Sequence, residues 1–398
     1  MNKFKSYNNK PIKNIKLKYL VDKILVLIML IYVFIPPYLN YLLEDYNYIK
    51  NILSIMFLLS ITFFLLKNKI RLDKYLKIII FSYICLILST ILNNGLVYQS
   101  IMNSLLIILL CLFLGGLKDD IKLSKIVIYS IRDMVFIVFL INTIVSIFIP
   151  TGIPEMSSKL SPGFLYGNIN SNFKYILPGL LCSILIDKSN NIKVSLITMF
   201  FYFGSFYTFF KLYHTMTAFV GLIIIILWQL LQKYIKGNSS YIISIIIIFV
   251  LIFNILIVIN PDFRISKLFI RVFGKDETLS NRTILWSNTI NLIKSKRILG
   301  YGLKDRLFLG SYIGNYSGSH NYYLDIAYQR GTLGFIFNFI PIILINKNLY
   351  GKTIINDFEY LTLGFLCVYL IMFTFEPFYN TERFFIPLFY LLCRETHK

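Results

Sequence analysis

Apolar runs long enough to cross a membrane recur along the whole chain. They lie near 24–40, 49–66, 75–92, 100–117, 126–149, 172–186, 193–210, 214–231, 241–260, 321–345, 358–376 and 383–393, separated by short polar segments. A helix rises 1.5 Å per residue, so about 20 apolar residues span a hydrocarbon layer of about 30 Å. The pattern predicts an all-α polytopic membrane protein with about twelve transmembrane helices, the sixth and twelfth short. The link "KLYHT" between the seventh and eighth runs is barely a turn, which leaves eleven as the alternative count. Composition agrees, because only 15% of the residues are charged, against about 25% in soluble domains.

Charge then orients the spans. The formal net charge of +21 could belong to a nucleic-acid binder, but the Lys and Arg residues sit in short clusters between apolar runs. That distribution fits topology signals and anionic lipid, so no nucleic-acid partner is expected. Lys3, Lys5, Lys10, Lys13, Lys16 and Lys18 put the N-terminus in the cytoplasm, and the first span is read as retained rather than cleaved. Alternate loops, "KNKIRLDKYLK", "KDDIKLSK", "DKSNNIK", "QKYIKGNSS" and "NKNLYGK", are then cytoplasmic and consistently basic. "LEDYNY" and "NNGLVYQ" face outward, and both termini are cytoplasmic. A multi-pass membrane protein is expected.

One outer loop breaks the charge rule. Residues 261–319, before the tenth span, carry ten Lys/Arg against four Asp/Glu. Long loops translocate largely regardless of charge, but a basic outer segment invites an anionic partner. Within it a helix is expected near 281–296, capped by Ser280 or Asn281, with Ile284, Leu285, Trp286, Ile290 and Ile293 on its apolar face. Trp286 and its basic end suit a helix lying along the interface. No second domain or internal repeat is visible, so residues 1–398 read as one transmembrane domain. The five cysteines (Cys85, Cys111, Cys182, Cys367, Cys393) lie in apolar runs and read as core residues. No metal-ligand spacing or cofactor motif is apparent.

The chemistry concentrates in "GSHNYYLDIAYQRGTLGF", residues 318–335. Ser319 is the expected N-cap of a helix that carries His320, Ala327 and Gly331 on one face, and Gly331 and Gly334 allow close helix approach. His320 is either a histidine hydrogen-bonded at a helix mouth or a proton-transfer group. Around it, at the outer ends of spans, stand Arg282, Arg330, Lys174, Lys211, His214, Glu376, Glu382 and Arg383. Singly each reads as a snorkelling side chain; together they form a net-basic vestibule.

"SHNYYLDIAYQRGTLG" resembles the His-Asn signature of the O-antigen ligase and O-antigen polymerase family, with ten residues between His320 and Gly331. "SNRTILWSNTINLIKSKRILGYG" is similar to the family's upstream segment, an Arg at a helix start followed by a Gly-x-Gly turn, and "KLSPGFLYGNINSNFKYIL" to its earlier outer motif. The family often carries an Arg in the turn before its eighth span; Met216 stands there, so Lys211 or His214 supplies the charge or none is needed. Lys159 likewise replaces a common Arg.

The resemblance implies a metal-independent glycosyltransferase acting on polyprenyl-pyrophosphate-linked oligosaccharides at the outer face, without a cofactor. Arg282 first, then Arg330 and Lys174, would stabilise the departing pyrophosphate. His320 would orient or deprotonate the attacking hydroxyl. Lys211, His214, Asn321, Glu376 and Arg383 complete the expected substrate contacts. A polymerase of capsule, exopolysaccharide or O-antigen repeats is the first expectation, working with membrane lipid and polysaccharide export proteins. A ligase to another acceptor, and a lipid-linked oligosaccharide flippase, are the alternatives. Transporters place polar groups at the midplane and show repeated halves, which this sequence does not.

Overall fold

The computed structural model describes residues 12–39, 46–68, 72–117, 120–154, 162–169, 172–213, 215–259, 282–316, 318–350, 352, 355–378 and 381–396. Within them the chain is a helical bundle. Its principal helices are α1 (Ile12–Phe34), α2 (Tyr46–Asn68), α3 (Lys74–Leu92), α4 (Val97–Gly116), α5 (Ile121–Phe148), α6 (Asn172–Ser189), α7 (Leu196–Phe206), α8 (Met216–Leu230) and α9 (Ser239–Phe253). There follow α10 (Arg282–Ser295), α11 (Tyr322–Leu349), α12 (Asp357–Met372) and α13 (Ile386–Thr396). Gly163–Phe164 pairs antiparallel with Gly167–Asn168.

Among the described residues six helices are long and apolar enough to cross a membrane, including Lys74–Leu92, Ile121–Phe148 and Tyr322–Leu349, with shorter apolar helices over Leu196–Leu212 and Met216–Leu230. The expected all-α membrane architecture is therefore present. Leu59, Leu66, Phe203 and Ile245 are each more than 60% exposed, as side chains facing lipid would be. By contrast α12 is buried nearly all round, from Tyr360 to Leu370. A helix apolar on every side belongs at a bundle's centre. The five cysteines are buried and free.

The feature that positions the polar residues is a break in α11. Its backbone leaves helical geometry at Gly331 (φ 63°, ψ −171°), a region open in practice only to glycine. Sixteen residues of continuous helix would span about 24 Å. Yet Tyr322 Oη lies 3.2 Å from Asn338 Nδ2, sixteen positions on, and the rings of Tyr323 and Phe339 are 5.2 Å apart. The helix folds back on itself. Its second arm, residues 332–349, runs antiparallel to α3, with Ser82 Oγ donating to Gly334 O (3.0 Å) and Asn348 Nδ2 to Tyr75 Oη (3.5 Å).

Backbone groups freed by the break must be paired, all the more in lipid. Tyr301 N–H donates to Tyr328 O (2.7 Å), Gly302 N–H to Gln329 O (2.9 Å), and Thr332 N–H to Arg297 O (2.8 Å). Gly300 and Gly302 both hold φ 73°, and a Cβ on Gly300 would stand 2.4 Å from Tyr328 O. This explains the Gly-Tyr-Gly turn as a plug for the broken helix. The same segment joins the end of α3: Leu96 N–H donates to Leu303 O (2.8 Å) and Asn93 Nδ2 to Gly300 O (3.1 Å).

Side chains lock the fold-back. Arg330, 1% exposed, donates twice to Glu382 (2.6 Å each), to Asn338 Oδ1 (2.8 Å) and to Ser82 Oγ (3.0 Å), and its guanidinium lies 4.4 Å from the Tyr83 ring. Glu382 also accepts from Tyr322 Oη (2.6 Å) and Tyr83 Oη (2.8 Å). A buried ion pair is tolerable when most of its remaining polar positions are filled in this way.

Candidate functional site

Fold-back sets the depth of the histidine. Tyr322 lies level with Asn338, seven residues down the second arm, so residues 320–322 sit about 10 Å below Gly331 within the bundle. Tyr322 N–H donates to Phe373 O (2.7 Å), just past the end of α12. The histidine thus stands in a recess.

His320 is not on the helix. Its φ of 56° is left-handed, a strained setting for a residue with a Cβ. The N-cap is Asn321, whose Oδ1 accepts Leu324 N–H (3.1 Å) and whose Nδ2 donates to Asn254 Oδ1 (3.0 Å). Ser319, the cap expected from sequence, has another task. Its N–H donates to Asp325 Oδ1 (2.9 Å), with its hydroxyl 2.8 Å from the same oxygen. Asp325, wholly buried, so pins the turn that projects His320, and Gly318 leaves room for its carboxylate. The shared face expected for His320, Ala327 and Gly331 does not form, because the histidine precedes the helix.

Two sequence-predicted cations meet this histidine. Arg282 opens α10, with Nη2 3.6 Å from Glu376 Oε1. Lys174, on the first turn of α6 and 3% exposed, donates from Nζ to Pro377 O (2.5 Å) and stands 4.6 Å from the Phe378 ring. Burial first, then the positive charges of Arg282 and Lys174, push the His320 imidazole down to about 4. It is therefore neutral at physiological pH. Glu376, 2% exposed, also accepts from Thr217 Oγ1 (3.4 Å), at the start of α8. The N-terminal turns of α6, α8, α10 and the first arm of α11 thus converge. Their positive dipole ends favour an anion between them.

The other predicted residues lie elsewhere or serve the fold. Arg330 faces Glu382, Asn338 and Ser82, so its guanidinium braces the fold and is not presented to the recess. Asn321 caps a helix. Arg383 is half-buried, 5.2 Å from the Phe384 ring. Lys211 is exposed in the turn after α7, and His214 lies outside the described residues, as do Ser280, Asn281 and Lys159. Trp286 of α10 is fully buried against Phe253, Val258 and Leu324 rather than placed at a lipid boundary. Asp325 and Thr217 carried no expectation. Asp325 stands five residues past the histidine in the quoted motif, a spacing that offered the one available signal.

No curated protein and no solved structure matches the chain. Residues 198–339 match the family model described as O-antigen ligase. This segment holds Thr217, Arg282 and His320 together with the Gly-Tyr-Gly turn and Gly331; Lys174 and Glu376 lie outside it. The match bears out, over these residues, the resemblance read from the motifs: the chain is a multi-pass membrane protein with a segment similar to the O-antigen ligase family.

Proposed function

We propose that the chain is a polysaccharide polymerase that joins polyprenyl-pyrophosphate-linked oligosaccharide units at the outer face of the bacterial cytoplasmic membrane. The observation that carries this reading is the pair of cations, Arg282 and Lys174, set beside a neutral histidine where four helix N-termini meet. A pyrophosphate is the leaving group those charges suit. In the reaction the bond between the anomeric carbon of the growing chain and its phosphate oxygen breaks. A hydroxyl of the acceptor unit forms the new glycosidic bond, and polyprenyl pyrophosphate departs with the electron pair. His320 accepts the hydrogen bond of that hydroxyl, orients it and takes its proton as the bond forms. The cations bear the charge developing on the pyrophosphate.

The end of the bundle that carries the recess is read as the outer face, because Lys74 and Lys77, Lys188 and Lys347 lie at the opposite helix ends. Capsule, exopolysaccharide and O-antigen are the product classes this chemistry serves. Deleting the gene tests the reading: single lipid-linked repeat units should accumulate at the outer face. Accumulation at the inner face would instead indicate a flippase, and attachment of finished polymer to a second acceptor would indicate a ligase.

A further inference from the structure

We infer that Glu376 is a resident counter-anion, occupying the phosphate position of the recess until pyrophosphate displaces it. The inference rests on the proposed function, in which Arg282 and Lys174 receive that group. Arg282 is about one-fifth exposed and Lys174 almost wholly buried. Cations so placed lose hydration and need a negative partner. Glu376 is the acidic side chain that serves both, at 3.6 Å from Arg282 and within the electrostatic reach of Lys174. Its carboxylate sits at the meeting of the helix N-termini, which is where an incoming phosphate would find its donors.

The hold on this carboxylate is loose. Its contact with Arg282 exceeds hydrogen-bond length, and the Thr217 hydroxyl reaches it at a long 3.4 Å. The Arg330–Glu382 pair of the same protein closes at 2.6 Å, with Ser82, Asn338, Tyr322 and Tyr83 hydrogen-bonded to it. One pair is built to stay and the other to exchange. Lys174 supports the distinction: its ammonium is hydrogen-bonded to the carbonyl of Pro377, adjacent to Glu376, so it too can turn to a phosphate oxygen. In this arrangement the two cations are neutralised without being locked in place, and substrate entry swaps one anion for another.

The test measures binding of inorganic pyrophosphate to the purified, detergent-solubilised protein. Glu376→Gln keeps the shape and removes the charge that competes, so affinity should rise about tenfold or more, the scale on which like charge opposes an anion. Thr217→Val, which loosens the carboxylate and leaves the cations intact, should raise affinity by a smaller factor. Adding Arg282→Gln to Glu376→Gln should abolish the gain. Equal or weaker binding in Glu376→Gln overturns the inference while leaving the anion site standing. If that variant does not fold, unchanged affinity in Thr217→Val overturns it instead. Binding to neither the wild type nor any variant removes the anion site, and with it both the inference and the proposed function. A Glu376→Gln protein that binds as the wild type does but loses turnover would make the carboxylate a catalytic base.

Discussion

Replacing Gly331 by Ala should unfold the bend on which the recess depends. A Cβ at this position would lie 2.0 Å from Ile298 O and 2.6 Å from Leu299 N, both backbone atoms. The residue also sits at φ 63°, ψ −171°, which costs a non-glycine residue about 1–3 kcal/mol. Relieving the clash requires residues 297–302 to withdraw, and with them the hydrogen bonds to Tyr328 O, Gln329 O and Thr332 N. Each is worth about 0.5–1.5 kcal/mol when made, and more when a buried group is left unpaired. The sum is roughly 3–7 kcal/mol, a large part of the 5–15 kcal/mol by which proteins are ordinarily stable. Thermal stability in detergent, followed by the loss of the monodisperse peak after heating, should fall far below the wild type. Gly237→Ala is the control, since nothing lies within 4 Å of the Cβ it would add, and it should melt as the wild type does. If Gly331→Ala melted with the control, the folded-back helix would be wrong.

Three further outcomes follow from the same geometry. Arg330→Ala should lower membrane abundance, because losing one member of a buried pair costs about 3–5 kcal/mol; normal abundance with lost substrate affinity would return Arg330 to the recess. Cysteines placed singly in "KDDIKLSK" and "GSYIGNYSGSH" should label from opposite sides with an impermeant thiol reagent, and labelling from one side would refute the orientation. His320, held at about 4 by burial, Arg282 and Lys174, stays neutral well below the 6.5 of an unfolded histidine. Its contribution to stability is therefore complete above 6.5 and is lost as the pH falls from there through about 4. The wild type should destabilise relative to His320→Gln across that window, while their ratio of kcat/KM stays flat from pH 8 to 5. A ratio that falls through 6.5 would mean the histidine titrates normally.

The helices were legible because lipid imposes one strong rule, and the apolar runs fall largely on the observed helices. The bend in α11 was not. Its hydrophobic pattern continues across Gly331, and a glycine in a membrane helix reads equally as a packing notch. The partners that make the break possible, Arg297 and residues 301–302, lie some thirty positions upstream. Ser319 and Asn321 are both good caps in sequence; only the Asp325 contact assigns one to the turn and the other to the helix. Arg330 and Arg282 look alike as arginines near the same motif. What separates them is Glu382, which is 52 residues from Arg330 and holds it by both oxygens, a pairing that spacing could not reveal. Lys174 and Glu376 were visible as ionisable groups at span ends, but their convergence on His320 belongs to the fold.

The central claim is that the recess passes a glycan from its lipid pyrophosphate to an acceptor hydroxyl. Purified protein reconstituted in liposomes with a polyprenyl-pyrophosphate-linked oligosaccharide measures this directly. Glycan chains should lengthen while one polyprenyl pyrophosphate is released per linkage, and Arg282→Ala and His320→Ala, at equal folded amounts, should each lower the rate by about a hundredfold or more. Equal lengthening by the wild type and by Arg282→Ala and His320→Ala would contradict the account.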